Sequence, residues 1–327
     1  MGFRAVFLAF AAALAAIPAV AQAPAPSWPS RTITLVVPFA AGGGTDAIGR
    51  VIAEKLSARL GQPVVVENKA GAASAIGTAY VGKANPDGYT LLMTTNSAMV
   101  ILPLTQPAGS LNYDRSDFSL IGLTGILPNI LIVSPKVPAN SVSELIAYAK
   151  ARPGQLSFAS SGNGTITHLI GELFKARAGI DVVHVPYRTG VQSAPDVMEG
   201  RVQYIFDNII WSLPMIRAGQ LKGLAITTSQ RSSLAPDIPT VAESGVPGFE
   251  GITWLGLAAP AKTPQPVIAR LATELNAVLA DKETIAKLAA TGAEPPSAPG
   301  PDGMQALLVE DIARWQGILG DGKIKLQ

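Results

Sequence analysis

The residues best placed to do chemistry lie in two glycine-rich stretches. Pro38-Phe39-Ala40-Ala41-Gly42-Gly43-Gly44-Thr45-Asp46 follows the β-branched, apolar run Thr32 to Val37. It precedes Ile48, Ile52, Leu56 and Leu60, whose four-residue spacing predicts a helix from Thr45 to Leu60 ended by Gly61. Consecutive glycines let a backbone approach a ligand closely, and the head of the following helix offers unpaired N–H groups and the positive end of its dipole. That is anion-binding chemistry; a plain strand-to-helix turn is the alternative. Ser160-Ser161-Gly162-Asn163-Gly164-Thr165 repeats the plan between a predicted strand, Leu156 to Ala159, and a predicted helix, Thr167 to Ala178, and adds side-chain donors. Two such loops facing one cleft suit a ligand with one or two carboxylates. Roughly four to six charge-assisted hydrogen bonds at about 1.5–3 kcal/mol each, less the cost of immobilising the ligand, would support capture at about micromolar or tighter.

Other polar residues fall where they can join that cleft. Asp207-Asn208 follows the predicted strand Val202 to Phe206 and precedes a helix beginning near Trp211. An acid there takes a ligand amino or hydroxyl group, or caps the helix. Thr94, Thr95, Asn96 and Ser97 after a third strand offer neutral donors, or form a plain polar loop. Asp46 complements the dipole of its helix. His168, four residues before Glu172, reads as a helix-terminal imidazole bonded to a loop or a bound carboxylate, and His184 as a satisfied interior residue.

Three rival chemistries compete with anion binding. Gly42-Gly43-Gly44-Thr45-Asp46-Ala47 satisfies the G-x-G-x-x-A dinucleotide fingerprint, with Glu67 where a ribose-binding acid would sit, so a nicotinamide-dependent oxidoreductase is the alternative function. Pro38 to Ala41, inserted between strand and glycines, speaks against it. His168 and Glu172 could form a metal pair, and Ser160, His168 and Asp207 a hydrolytic triad. Neither Gly-x-Ser-x-Gly nor His-Glu-x-x-His occurs.

The elements that must position these residues alternate strand and helix, the pattern of α/β units. Strands are expected at Val64 to Glu67, at Tyr89 to Thr94 after the Pro86-Asp87-Gly88 turn, at Val182 to Val185 and at Leu224 to Thr227. Ser141-Val142-Ser143-Glu144 is a capping-box pattern opening a helix that stops near Pro153-Gly154. From Thr263-Pro264 onward the chain reads as helical, with Val267, Leu271, Leu275 and Leu279 on one face and Leu308, Ile312, Trp315 and Leu319 on another.

The chain has 327 residues, 48% apolar and 15% charged, with 25 Lys plus Arg, 23 Asp plus Glu and no Cys. The chain is too apolar and too weakly charged for disorder, its near-neutral balance argues against electrostatic nucleic-acid binding, and the lack of Cys excludes all thiol chemistry. Arg4, an apolar run from Ala5 to Ile17 and the small residues Ala19 to Ala23 read as a signal peptide over residues 1–23, cut after Ala21 or Ala23. An exported chain with no anchoring Cys and no later membrane span points to a Gram-negative periplasm. The mature length favours two domains, with chain crossings near Thr124 to Asn129 and Val246 to Trp254. One lobe would comprise residues 28–126 plus 251–327 and the other 127–250.

Ordered landmarks run along nearly the whole mature chain. They are Trp28-Pro29, Pro38-Phe39 with the triple glycine through Asp46, Pro86-Asp87-Gly88-Tyr89-Thr90-Leu91-Leu92, and His168-Leu169 with Gly171-Glu172-Leu173-Phe174. His184-Val185-Pro186-Tyr187, Phe206-Asp207-Asn208, Ala218-Gly219 and Pro239-Thr240-Val241-Ala242-Glu243 follow. In these the sequence resembles the Bug family of periplasmic solute-binding proteins, receptors of tripartite tricarboxylate transporters. The resemblance implies a two-lobed periplasmic-binding-protein fold of the type with two chain crossings, each lobe a mostly parallel sheet flanked by helices. It implies a monomer that captures a small organic acid, needs no cofactor or metal, catalyses nothing and hands its ligand to membrane permease subunits. Carried over by position, Phe39, Ala40, Gly42, Gly43 and Gly44, and Ser160, Ser161, Gly162, Gly164 and Thr165, would hold the carboxylate through backbone N–H groups and waters. Thr94, Asn96, His168, Tyr187 and Asp207 would line the remaining wall. Ala40-Ala41, where the family often has Pro-Pro, and Arg188-Thr189-Gly190-Val191-Gln192, where Lys-Gly-Ser-Ala-Pro is common, depart from the pattern beside the implied pocket.

Overall fold

The computed structural model describes residues 28–320 and Ile324; the signal peptide expected over residues 1–23 lies outside them. The first series of elements is β1 (Ile33–Val37), α1 (Gly44–Leu60), β2 (Val64–Asn68), α2 (Ala75–Gly82), β3 (Thr90–Thr95) and the short α3 (Leu102–Thr105). A long strand, β4 (Phe118–Val133), leads to the second series: α4 (Val142–Lys150), β5 (Leu156–Ser160), α5 (Ile166–Ala178), β6 (Val182–Pro186), α6 (Ala194–Met198), β7 (Tyr204–Asn208), α7 (Ile209–Arg217) and β8 (Lys222–Ile226). The chain returns through β9 (Ile252–Pro260) and finishes with α8 (Gln265–Ala280), α9 (Lys282–Ala290) and α10 (Pro301–Gly320).

These strands form two sheets joined through β4. The first has the order β2-β1-β3-β9-β4 and the second β8-β4-β7-β5-β6. In each sheet one strand opposes the rest, β9 in the first and β4 in the second. The pairing of β4 changes hands at Pro128, which faces Ile252 of β9, while Asn129 faces Asn208 of β7. Proline cannot donate to a ladder, so a change of partner is a tolerable place for it inside a strand.

Local sequence explains the elements that carry the glycine loops. Leu35, Val36 and Val37 are all fully buried, because β1 is covered on both faces. Ile48, Ile52 and Leu56 form the buried stripe of α1, and Gly61 ends the helix with φ of 69°, donating to Ser57 O. That stripe packs with Leu91, Leu255 and Leu271 in the core of the first lobe. Burying each of these large side chains contributes about 1.5–3 kcal/mol. Ile130, Ile205 and Ile209 build a smaller core in the second lobe, while a third cluster containing Met99, Ile101, Ile166, Leu169 and Trp254 runs from one lobe into the other.

Candidate ligand-binding cleft

The two glycine loops face one cavity. It opens between the lobes and is lined on one side by Phe39, Gly43, Gly44 and Thr45, with Thr95 and Ser97 beyond β3. The opposite wall comprises Ser161, Thr165 and Thr167, then Arg188 to Val191, and then Asp207, Asn208 and Trp211. A wider space of about 1040 Å³ shares Phe39, Ser161 and Arg188 with it, adding Ala40, Gly162 and Tyr187, and forms its mouth. Ser97 Oγ reaches across to accept from Ile166 N–H at 3.0 Å.

Asp46 does more than complement a dipole: it staples the first loop. Its carboxylate, almost fully buried, accepts from Gly42 N–H at 2.9 Å, from Arg50 at 3.0 Å and from Asn68 Nδ2 at 2.9 Å. Asn68 Nδ2 also bonds Phe39 O at 3.0 Å. Burial alone would raise the pKa of Asp46, yet these bonds hold it below the usual carboxylate range. Gly42 N–H is therefore committed to Asp46, whereas the first-turn amides of α1, at Gly44 and Thr45, point out of the helix end beside the cavity. Asp46→Ala is expected to cost about 2–3 kcal/mol of stability at neutral pH and to weaken ligand binding through the loosened loop. Because the folded pKa is depressed, the stability gap should narrow as pH falls below about 4, which parallel melting curves will show.

The second loop departs from the expectation that its backbone amides grip an anion. Ser161 N–H is spent on Thr167 Oγ1 (3.0 Å), Gly162 N–H on Ser160 Oγ (3.1 Å), Gly164 N–H on His168 Nδ1 (3.2 Å) and Thr165 N–H on Gly162 O (3.3 Å). Buried amides find internal partners unless a ligand outcompetes them. What this loop presents to the cavity is hydroxyl, of Ser161, Thr165 and Thr167, although Thr165 Oγ1 donates to Gly162 O at 2.7 Å and lies 3.0 Å from Thr167 Oγ1. Neither Ser160, whose Oγ lies 2.6 Å from His184 Nε2, nor Gly164, which packs near Leu102, lines it.

Three wall residues expected from the resemblance are placed elsewhere. Thr94 is fully buried and does not line the cavity, because alternate residues of a strand face opposite sides and Thr95 takes the cleft side. Asn96 is fully buried too: its Nδ2 donates to Ile252 O at 2.8 Å and to Asp311 at 3.4 Å, while Trp254 Nε1 donates to Asp311 at 2.9 Å. This knot ties the end of β3 to the returning strand and α10. His168 sits behind its loop, stacked on His184. Tyr187 stays at the mouth, its hydroxyl donating to Asp196 Oδ2 at 2.5 Å.

Asp207 is 4% exposed and lines the inner cavity. Asn208 N–H donates to Oδ1 at 2.7 Å and Trp211 Nε1 to Oδ2 at 3.3 Å. Burial outweighs these bonds and one from Ser161 and pushes its pKa up to about 6. Among the described residues it has no ion-pair partner. A β-carbon on Gly190 would coincide with its Oδ2, so the carboxylate occupies space that only glycine leaves free. Gly190 and Thr253 belong to the cavity wall, and nothing in their sequence neighbourhood singles out Thr253.

Neither enzymatic alternative assembles. Ser160 pairs with His184 rather than His168, and Asp207 is held by Asn208 and Trp211. Glu67, the proposed ribose acid, pairs with Lys69 at 2.5 Å and is outside the cavity.

Two mixed sheets linked by β4 and β9, with loops from both facing a central cavity, define a two-lobed periplasmic-binding-protein fold. The chain belongs to the tripartite tricarboxylate transporter receptor family, that of the Bug proteins, whose pattern matches residues 48–323. It is 37% identical over 303 residues to Protein BugT of Bordetella pertussis, covering 93% of each chain. Rpa4515 of R. palustris, solved with adipate, is 37% identical with a TM-score of 0.84, over 89% of this chain and 97% of that one. MatC from Rhodopseudomonas palustris, solved with bound malate, is 31% identical with a TM-score of 0.83, over 89% and 99%. Members of this family are solute-binding receptors, not enzymes, and so is this chain.

Proposed function

We propose that the protein is a periplasmic receptor that closes two lobes, residues 28–126 plus 251–327 and residues 127–250, on a small organic acid and delivers it to the permease subunits of a tripartite tricarboxylate-type transporter. The lobe boundary is supported by the exchange of β4 partners at Pro128. Removal of the N-terminal signal segment and action as a monomer complete the reading. Among the described residues no helix is long and apolar enough to cross a membrane.

The observation that carries the ligand class is the pairing of opposites in one cavity. The head of α1 attracts a carboxylate, the Ser161 hydroxyl stands beside it, and Asp207 keeps a lone pair for a donor from the ligand. The ligand is accordingly an acid whose hydroxyl or amino group meets Asp207. Relatives solved with adipate and malate are consistent with a carboxylate. A thermal-shift panel of succinate, malate, aspartate and adipate against NAD and NADP tests this. Acids are expected to stabilise the protein, with malate or aspartate above succinate; stabilisation by dinucleotides alone would reject the reading.

Gly162 provides a local check. Its φ of 120° is hard for a β-branched residue, and its added β-carbon would lie 3.4 Å from Tyr187 O at the mouth. Gly162→Val is expected to lower affinity about tenfold while the protein still folds, read by calorimetric titration with the best acid of the panel. Unchanged affinity removes this loop from the site. Trp211 lines the cavity, so its fluorescence should change on ligand closure.

A further inference from the structure

Both histidines of the chain sit together behind the second loop. Their rings stack with centroids 3.9 Å apart and planes 11° from parallel, and the ring of Phe158 lies 4.8 Å from that of His184. Each imidazole holds a different point of the loop. His184 Nε2 meets Ser160 Oγ, the hydroxyl that accepts from Gly162 N–H. His168 Nδ1 accepts from Gly164 N–H. An amide donor can approach Nδ1 only where that nitrogen carries a lone pair, which fixes His168 as the neutral ring with its proton on Nε2.

The surroundings keep it neutral. Burial first, and then the Lys175 ammonium, lower His168 to about 4; burial, His168 and Lys175 lower His184 to about 3. The charged and titratable groups around the pair are Glu172 and Lys175 on α5, Asp181 ahead of β6, and Tyr204 of β7 stacked on Phe158. Glu172 Oε1 is 4.0 Å from His168 Nε2, but it is already paired with Lys175 at 3.0 Å. No carboxylate is left wholly to the imidazole.

We propose that the stacked His168–His184 pair is a positioning device for the Ser160–Thr165 loop, holding it in its ligand-binding shape while His168 is neutral. A proton on Nδ1 would set one N–H against another at Gly164. The loop then leaves the ring, its hydroxyls lose their aim into the cleft, and affinity falls in acid. The effect on affinity rests on the receptor reading above; the hold on the loop does not.

With two imidazoles in the whole chain, nitrogen-15 spectra of the histidine rings and of the Gly164 amide test the hold without any ligand. At pH 7.5 His168 is expected as the Nε2–H tautomer. On acidification its titration midpoint should fall below about 5, with the Gly164 amide shifting at the same midpoint. An Nδ1–H tautomer at pH 7.5, or a His168 titration that leaves Gly164 in place, overturns the proposal. Calorimetry with malate then reads the consequence. His168→Phe, which fills the stack but accepts nothing, should weaken binding at pH 7.5 about tenfold, and His168→Asn, whose Oδ1 can accept from Gly164, should restore most of that affinity. Wild-type affinity in His168→Phe overturns the positioning role. If the wild type binds none of the acids, the receptor reading fails instead, and the tautomer and amide titration still decide the hold; they also decide it if His168→Phe does not fold.

Discussion

Asp207→Asn is expected to raise the stability of the ligand-free protein above pH 6 and, at the same time, to impair binding. The unfolded chain releases this proton near the usual 3.8, whereas the folded protein keeps it to about 6. A carboxyl with a raised folded pKa loses stability as pH rises between those two values and stays at that lower level above them. At 1.36 kcal/mol per pKa unit, the ionised side chain costs on the order of 3 kcal/mol at neutral pH, a cost that the neutral amide of nearly the same shape avoids, less the long Trp211 bond that its NH2 cannot accept. Melting temperatures of the two proteins should coincide near pH 4 and separate by roughly 5 °C or more at pH 7.5. Meanwhile the affinity for an amino or hydroxy acid should fall by about tenfold or more, because a charge-assisted hydrogen bond is lost. A lower melting temperature for the variant at pH 7.5 would mean that Asp207 serves the fold rather than the ligand.

The second large effect concerns Gly190. Its added β-carbon would coincide with Asp207 Oδ2, so Gly190→Ala must expel the carboxylate or move the backbone. Overpacking of this kind costs about 1–3 kcal/mol, and moving a buried carboxylate off its Asn208 and Trp211 donors adds to that. We expect about 3 kcal/mol of destabilisation and loss of measurable acid binding. Combining it with Asp207→Ala should recover most of the stability but none of the binding, a large coupling energy in a double-mutant cycle. Additive losses would show that the two residues do not compete for the same space.

The first loop was legible because every signal for it is local. The run before it is β-branched, the helix after it has an unbroken four-residue stripe, and Gly61 marks its end; β1 and α1 begin within a residue of expectation. Asp207 was legible for a related reason, since a residue at the C-terminal end of a strand in an α/β sheet faces the ligand crevice. β4 and β9 were harder. Phe118–Val133 is buried on both faces, so no alternation survives to mark a strand, and its two glycines and Pro128 argue locally against one. Only partners far along the chain make it a strand.

The destinations of the loop amides were hidden in the same way. A glycine-rich stretch announces exposed N–H groups, but whether they meet a ligand or an internal acceptor depends on tertiary neighbours. His168, Ser160 and Thr167 absorb the amides of the second loop, while the first-turn amides of α1 remain at the cavity. Asp46 carries no sequence mark distinguishing a staple from a dipole partner; Arg50, Asn68 and Gly42 converge on it only once β1, α1 and β2 are assembled.

A crystal structure of the protein with the acid that stabilises it most shows directly which groups hold the ligand. The acid is expected between the lobes, its carboxylate within one water or direct hydrogen-bonding distance of the Gly43 to Thr45 amides and of the Ser161 hydroxyl, with its O–H or N–H on Asp207. A carboxylate bound outside this cleft, or lying in it with its charge turned away from the head of α1, would contradict the account.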